Sequence, residues 1–406
     1  MSTRTWYYLL LGGSVAFSLA SYYLLPTGKA NNFPTYLMGL LTLLLVPFWL
    51  QVLFRSWVLV GSTILATYLA LSLLWSSPLF DEDIHSLVGN ALLSVLFVFC
   101  LVICSIQVRL FQIYLVQSVV IAASLSAIVY VVTAFSISEP ISEAPLGRWL
   151  TPSVGAIGFG IAAVLSVNLT LGSFNRRSRL LWASTSVLLV VACIRLEVDY
   201  VSFALLAAVT ALSLGRLWRV RETSQALAWM GIAFVLMVAS ILVLNAIIDS
   251  GRQMIWGSVL DLIYSERIAF GFGIRSRPEH HVDCALAIVS TSGDCAWRHP
   301  HNLYVSTMFY GGVLGIGGLV LLMIVSVSAA LESHHPARWM TLSLLTYGFA
   351  VLMFDGNRLI SKIDFIWLVF WLPVAFSAFL ELAEKLSDDE LDAGVRSSPD
   401  PETEPD

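Results

Sequence analysis

The stretch LVGNALLSVLFVFCLVICSIQV, residues 87–108, decides the class of fold that this sequence can adopt. It is long, largely apolar and contains no Asp, Glu, Lys or Arg. About 20 such residues are enough for a helix to cross the hydrocarbon core of a bilayer. Because lipid offers no hydrogen bonds to the backbone, a segment of this kind must be helical inside the membrane.

Similar apolar stretches recur along the chain. Of its 406 residues, 58% are hydrophobic and 12% are charged, whereas roughly 25% of the residues of a soluble domain are charged. This composition excludes a soluble globular protein and predicts an all-α polytopic membrane protein with about twelve spans. The predicted spans are residues 6–25, 33–53, 57–75, 87–108, 111–135, 153–172, 180–194, 200–215, 226–247, 303–329, 339–354 and 365–384.

The basic residues predict the orientation of these spans. Twelve of them, including Arg176, Arg177 and Arg179, fall in segments on the side of the N-terminus, and five fall in the short loops of the opposite side. Cytoplasmic loops carry the excess of Lys and Arg, so we expect both termini to be cytoplasmic. The first apolar run is expected to be retained as a span and not removed as a signal peptide.

Four regions follow from this plan. Residues 1–247 hold the first nine spans, 248–302 form a large periplasmic loop, and 303–384 hold the last three spans. Residues 385–406 form a tail that is rich in Asp, Glu, Pro and Ser from residue 387 onward. Such a composition predicts a disordered acidic segment on the cytoplasmic side.

The loop 248–302 is informative because long loops without a fold of their own are uncommon unless they have a function. Apolar side chains such as Ile255, Val259 and Ile263 recur in it at helical spacing. They predict a short amphipathic helix over residues 251–264 that lies on the outer membrane surface. Two closely spaced glycines, Gly271 and Gly273, predict a turn after this helix.

The cysteines of this loop, Cys284 and Cys295, allow two interpretations. In an oxidising compartment a disulfide between them would stabilise the loop by about 3 kcal/mol. Alternatively, they could join the loop's four histidines in a metal site. The spacing of these six residues matches no standard zinc pattern, so we predict the disulfide and no metal ion.

Two arginines lie at the outer membrane boundary, against the positive-inside bias. Arg195 falls in a predicted turn over residues 194–200, and Arg252 follows the ninth span. One interpretation is that both side chains reach out to lipid phosphates. The other is that they bind an anionic group of a substrate, because a planar guanidinium matches phosphate oxygens bidentately.

A motif stands where the loop enters the tenth span. It consists of His301-Asn302, nine intervening residues and then Gly312-Val313-Leu314-Gly315. This arrangement resembles the signature of the O-antigen ligases and the related Wzy-type polymerases. From the residues themselves, Asn302 is expected to cap the tenth helix, and the two glycines share one face that allows close approach of a neighbour.

Three further features resemble that family. A Gly-Arg-x-x-x-Trp segment opens the loop at Gly251, Arg252 and Trp256, and the turn at Gly271 and Gly273 follows it. The plan of twelve spans with one large outer loop is similar as well. One departure concerns Arg195, which the family commonly follows with Leu four residues later and which is followed here by Asp199. The acidic turn could orient Arg195 or weaken its charge toward a phosphate.

The resemblance implies a metal-independent glycosyltransferase of the bacterial inner membrane with a GT-C-like helical architecture. Its donor would be a glycan on undecaprenyl diphosphate, and its acceptor a lipid A-core sugar on the periplasmic face. The partners would be this donor, this acceptor and the membrane lipids. The resemblance implies no cofactor and no nucleic acid. His301 would be the general base, since histidine titrates near neutral pH, and Arg195 and Arg252 would bind the diphosphate. Further candidates for substrate binding are Arg275, Arg277, His299, Asn302 and Trp256.

Other functions remain open at this point. A Wzy-type polymerase uses the same donor but a second carrier-linked repeat as acceptor, and a protein O-oligosaccharyltransferase uses a protein acceptor. A transporter or flippase usually shows ionisable groups at mid-membrane and two related halves, and the sequence shows neither. A structural or sensory protein would have no evident use for the His, Arg and Trp residues gathered in one loop.

Overall fold

The computed structural model describes residues 3–25, 28–45, 50, 52–76, 84–108, 110–136, 147, 151–217, 250–278, 299–361 and 364–396. Its long helices are α1 (Thr3–Leu24), α2 (Gly28–Leu43), α3 (Trp57–Leu71), α4 (Ile84–Gln107), α5 (Phe111–Ser136), α6 (Pro152–Gly172), α7 (Arg176–Arg195), α8 (Asp199–Leu217), α9 (Ser250–Glu266), α10 (Leu303–Glu332), α11 (Arg338–Val351) and α12 (Leu372–Arg396). A 3-10 turn, Ser72–Trp75, extends α3, and a π-helical turn, Trp367–Trp371, leads into α12. The described part of the chain is all-helical, as the sequence predicts.

Seven helices in the described residues are long and apolar enough to cross a membrane. They identify the chain as a multi-pass membrane protein. The predicted span 226–247 lies outside the described residues, and so does the disulfide predicted between Cys284 and Cys295. The seven are Trp57–Trp75, Ile84–Gln107, Phe111–Ala134, Pro152–Gly172, Arg176–Arg195, Leu303–Glu332 and Trp367–Leu386.

A helix covers the predicted residues 251–264, namely α9, and it buries Val259 and Ile263; its position on the outer membrane surface stays a prediction. Two predicted boundaries are wrong. Arg195 is the last residue of α7 and does not lie in the turn, because arginine is a good helix former and continues the preceding run. The acidic segment after residue 385 is not irregular throughout, because α12 continues as a helix to Arg396.

The most buried span is the one that ends in α12, and its tryptophans Trp367 and Trp371 are almost fully enclosed by the bundle. Helix α7, in contrast, exposes apolar side chains such as Leu181 and Val187 along much of its length. In a membrane such a face contacts lipid, which is as apolar as leucine. The bundle therefore has a protein-filled centre around α12 and a lipid-facing margin at α7.

Helix α10 connects the two polar ends of the bundle. It has 30 residues and so measures about 45 Å at 1.5 Å per residue. Its N-terminus follows His301-Asn302, and its C-terminus leads to His334. Around His334, two carboxylates of α12 hold the neighbouring helices together.

At this second end, Glu381 accepts hydrogen bonds from the Ser56 hydroxyl at 2.6 Å and from the Trp57 N–H at 3.0 Å. Lys385 donates to Glu381 at 2.8 Å. One turn away from Glu381, Glu384 pairs with His334 Nδ1 at 2.7 Å. Both carboxylates accept several hydrogen bonds, and through these bonds they fix the start of α3 and the end of α10 to α12.

Candidate functional site

The first end of α10 gathers polar residues from four parts of the chain. These are the segment 299–302, the loop that follows α11, the first turn of α8 and the helix α9. Asn302 caps α10, as predicted, since its Oδ1 accepts from the N–H groups of Tyr304 at 2.9 Å and Val305 at 3.1 Å. The Leu303 N–H donates to the Leu352 carbonyl at 2.9 Å, so α10 begins against the end of α11.

His301 has a strained backbone. Its φ of 51° lies in the left-handed region, which costs a residue other than glycine about 1–2 kcal/mol. The His301 N–H donates to His299 Nδ1 at 3.3 Å, and the two imidazole rings lie 3.9 Å apart. Such strain persists only where the surroundings hold it, and it is common at functional sites.

Trp256 of α9 holds the same segment from the other side. Its indole N–H donates to the Pro300 carbonyl at 2.7 Å. The contact that the structure gives to Trp256 is therefore with the motif itself, and a contact between this side chain and a sugar stays a prediction. Helix α9 thus supports the segment that carries His301.

Asp355 lies against His301 and was not singled out from the sequence. The distance from His301 Nδ1 to Asp355 Oδ1 is 3.6 Å, and the side chains are 38% and 8% exposed, respectively. The Gly356 N–H donates to Asp355 Oδ1 at 2.8 Å, and the Tyr200 hydroxyl points at Oδ2 from 3.5 Å. The arrangement directs His301 Nδ1 toward a carboxylate and leaves Nε2 for another partner.

The charge states around His301 follow from these contacts. Burial by itself would raise the pKa of Asp355, but His301, the Gly356 N–H and His299 outweigh it and hold the pKa below its usual range. Burial lowers the pKa of His299 to about 4, and the charges of His301 and Arg358 act in the same direction. Asp355 is therefore ionised and His299 neutral at pH 7.

Arg252 stands beside this group. Its guanidinium donates to the Phe354 carbonyl at 3.1 Å and lies 5.8 Å from the ring centre of Tyr200. Tyr200 in turn stacks on Phe354 at 5.3 Å. The chain around Asp355 is thus held between α8 and α9, with a half-buried cation next to it.

Arg358 belongs to the same loop as Asp355. Its guanidinium lies 5.4 Å from the ring centre of Tyr310, whose hydroxyl donates to Asn357 Oδ1 at 2.8 Å. The sequence showed Arg358 only as a basic residue of a short outer loop. The structure places its charge close enough to influence His299.

The turn predicted at Gly271 and Gly273 docks into a break in α10. At Gly312 the backbone leaves the helix, with φ 61° and ψ −158°. The N–H groups of Phe272 and Gly273 donate to the carbonyls of Phe309 and Tyr310 at 2.7 and 2.9 Å. A Cβ at Gly312 would overlap the carbonyl of Ala269, so this glycine permits the backbones to approach, as expected of the motif.

The other predicted residues lie elsewhere or outside the described part. The Tyr130 hydroxyl donates to the carbonyl of Arg195 at 3.4 Å, and the turn after Arg195 leads to Tyr200. Arg275 lies on the Gly-x-Gly turn, where its N–H donates to Ser76 Oγ at 3.2 Å, and Arg277 follows it. The structure thus joins His301, His299, Asn302, Arg252 and Trp256, and places Arg195, Arg275 and Arg277 on neighbouring elements.

This arrangement supports acid–base chemistry at His301 next to an anionic group of a bound substrate. An ionised Asp355 orients the imidazole, Nε2 of His301 can take a proton, and Arg252 supplies positive charge. In the described residues, no three His, Cys, Asp or Glu side chains lie close enough to hold a metal ion. The metal site considered for the loop involved His280, His281 and the two cysteines, which lie outside those residues.

No family model matches the chain. It is similar to an O-antigen ligase of Pseudomonas aeruginosa, with 23% identity over 355 residues that cover 86% of this chain and 84% of the relative. The similarity therefore includes the spans as well as the segment that carries the site. Together with the His-Asn and Gly-x-x-Gly motif at the observed site, it supports the placement of this chain in the O-antigen ligase superfamily.

Proposed function

We propose that this protein is an O-antigen ligase of the bacterial inner membrane. It transfers O-antigen polysaccharide from undecaprenyl diphosphate to a lipid A-core sugar on the periplasmic face. The observation that carries the proposal is the contact of His301 with Asp355 at the start of α10, with Arg252 bound to the carbonyl of Phe354, the residue before Asp355. The similarity to a ligase over most of the chain favours this acceptor over a carrier-linked repeat.

His301 acts as the general base. The carboxylate of Asp355 accepts a hydrogen bond from Nδ1–H and fixes the tautomer with a free Nε2 lone pair, a role that carboxylates commonly have beside histidine. Nε2 removes the proton of the acceptor hydroxyl while its oxygen attacks the anomeric carbon of the donor. A positioned base of this kind accelerates a reaction by about 10²–10⁴-fold.

Arg252 stabilises the leaving group. As the glycosyl bond to the carrier breaks, its electron pair goes to the diphosphate oxygen, and negative charge develops there. A preorganised guanidinium stabilises this charge more than it stabilises the bound donor. In this proposal Arg195, Arg275 and Arg277 bind the rest of the diphosphate and the glycan, and the positive end of the α10 dipole points to the same place. The reaction as proposed uses no metal ion and no nucleotide sugar.

The test is a gel of lipopolysaccharide from a strain that lacks this gene, complemented with the wild type, His301→Ala or His334→Ala at equal membrane abundance. His334 is the matched control because it lies at the opposite end of α10 and its side chain is 85% exposed. We expect the deletion to leave core without O-antigen, the wild type and His334→Ala to restore capping, and His301→Ala to leave the core uncapped. Core that carries a single repeat in the deletion strain would show a polymerase instead, and capping by His301→Ala would refute the assigned base.

A further inference from the structure

We infer that His299 is a positioning residue that holds the backbone of His301 in its left-handed conformation through a hydrogen bond accepted at Nδ1. The inference deepens the proposed function, on which it rests for its effect on turnover. The contacts that carry it are the 3.3 Å bond from the His301 N–H and the 3.9 Å separation of the two rings.

The need for such a residue follows from the geometry of the segment. His301 is one of two residues other than glycine with positive φ in the described part of the chain. On either side of it, the Pro300 carbonyl is tied to Trp256 and Asn302 is tied to α10. The bond to His299 holds the N–H of His301 itself, so it sets the direction in which this imidazole leaves the chain.

His299 can accept this bond only while Nδ1 carries no proton. Three charged or titratable groups act on it: His301, Asp355 and Arg358. Burial, His301 and Arg358 favour the neutral ring, and Asp355 opposes them. Because its pKa is lowered to about 4, His299 is neutral at pH 7 and can accept the bond there.

The chemistry of the side chain suggests a matched pair of variants. Asn carries its Oδ1 on Cγ, as His carries Nδ1, so His299→Asn keeps an acceptor at the same number of bonds from the backbone. His299→Gln places its polar atoms one bond farther out, near the position of Nε2. His299→Ala removes both.

The first test measures glycan transfer by full-length purified protein in detergent, with defined lipid-linked donor and acceptor. We expect His299→Asn to keep kcat within about threefold, and His299→Gln and His299→Ala to lose at least about tenfold in kcat with little change in the KM of the donor. An equal loss of kcat in His299→Asn and His299→Ala would overturn the inference in favour of a substrate contact through Nε2. A kcat that only His299→Gln retains would do the same. Wild-type kcat in His299→Ala would overturn it as well.

The second test does not depend on the reaction. The chain has 7 histidines, so the resonance of His301 in ¹³C-histidine-labelled protein can be assigned by its loss in His301→Ala. We expect this resonance to keep its position in His299→Asn and to shift or broaden in His299→Ala. An unchanged resonance in His299→Ala would refute the positioning role, whereas a shift without any transfer activity in the wild type would refute only the proposed function.

Discussion

The two ends of α10 use the same kinds of side chain for different purposes. At the His334 end, Glu381 and Glu384 accept hydrogen bonds from several donors at 2.6 to 3.5 Å, in contacts that pin helices together. At the His301 end, Asp355 faces its imidazole and phenol partners at 3.6 and 3.5 Å, and the adjoining backbone is strained. Carboxylates that join neighbouring helices mark the structural end, and a carboxylate beside a histidine with a strained backbone marks the end that we assign to chemistry.

The comparison teaches that burial of a carboxylate does not identify its role. Both Glu381 and Asp355 accept backbone N–H groups. Of these two carboxylates, Asp355 faces a histidine, His301, whose side chain is 38% exposed. The 3.6 Å distance is compatible with a catalytic hydrogen bond, because such bonds tighten in the complex with the substrate.

The largest effect is expected from Gly312→Ala, which would break the connection between the Gly-x-Gly turn and α10. The new Cβ would meet the Ala269 carbonyl, and the φ of 61° is unfavourable for alanine. We expect most of the folded protein to be lost from the membrane, a cost of several kcal/mol. The measurement is membrane abundance and the melting temperature in detergent.

Gly317→Ala is the control for this prediction, because a Cβ at Gly317 meets nothing within 4 Å on the same helix. It is expected to accumulate like the wild type. If Gly312→Ala were equally abundant and stable, the docking of the turn into α10 would not be essential to the fold.

The next prediction distinguishes the role of Asp355 from that of Glu381. Asp355→Asn keeps the shape of the side chain but removes the charge that orients and stabilises the His301 imidazole. We expect kcat to fall by about 10²–10³-fold at unchanged abundance. Glu381→Gln, at the other end, is expected to lower the melting temperature while the activity per folded molecule stays near the wild-type value. Purified protein in a transfer assay and a thermal melt measure both quantities, and the opposite pattern would reverse the roles of the two ends.

A pH series sharpens the comparison at His299. The folded-state pKa of about 4 lies below the ordinary histidine pKa of 6.5, so between these values the unfolded chain binds more protons and stability falls as the pH falls. The loss attributable to this residue is at most about 3 kcal/mol, an upper bound from the size of the shift. We expect the melting temperature of the wild type to drop more steeply from pH 6.5 to pH 4 than that of His299→Asn. Parallel curves would show that His299 is not held neutral by the fold.

The smallest effect on the reaction is expected from the replacement of Arg252 by lysine. Arg252→Lys keeps the charge but loses the planar fork that donates to Phe354 and can bind phosphate oxygens. We expect kcat/KM for the donor to fall about tenfold, with a normal melt. Arg338→Lys is the control, since Arg338 donates to the Ser333 carbonyl at the His334 end. Equal losses in the two variants would point to a general effect of replacing arginine.

The sequence predicted the parts of this molecule that depend on local pattern. Apolar length predicted the seven helices of the described residues that are long and apolar enough to cross a membrane, helical spacing predicted the helix α9, and the residue before α10 predicted the Asn302 cap. The motif residues His301 and Gly312 also led to the region that we propose as the site. Each of these features is encoded within a few turns of the chain.

The rest depends on tertiary contacts that no local pattern encodes. Asp355 is 54 residues beyond His301 and looks like an ordinary loop carboxylate until α11 returns it to the start of α10. Tyr200 was part of a predicted span, and its hydroxyl direction becomes visible only with α8 placed. Gly312 was expected to allow close packing, but the backbone break there follows from the docking of residues 268–273.

The central claim is that His301 is the general base. Its most direct test is the single-turnover rate of the purified protein with a defined lipid-linked donor and lipid A-core acceptor, for the wild type and His301→Gln. We expect the variant to bind the donor normally and to transfer the glycan about 10²–10⁴-fold more slowly. Transfer by His301→Gln within tenfold of the wild-type rate would contradict the account.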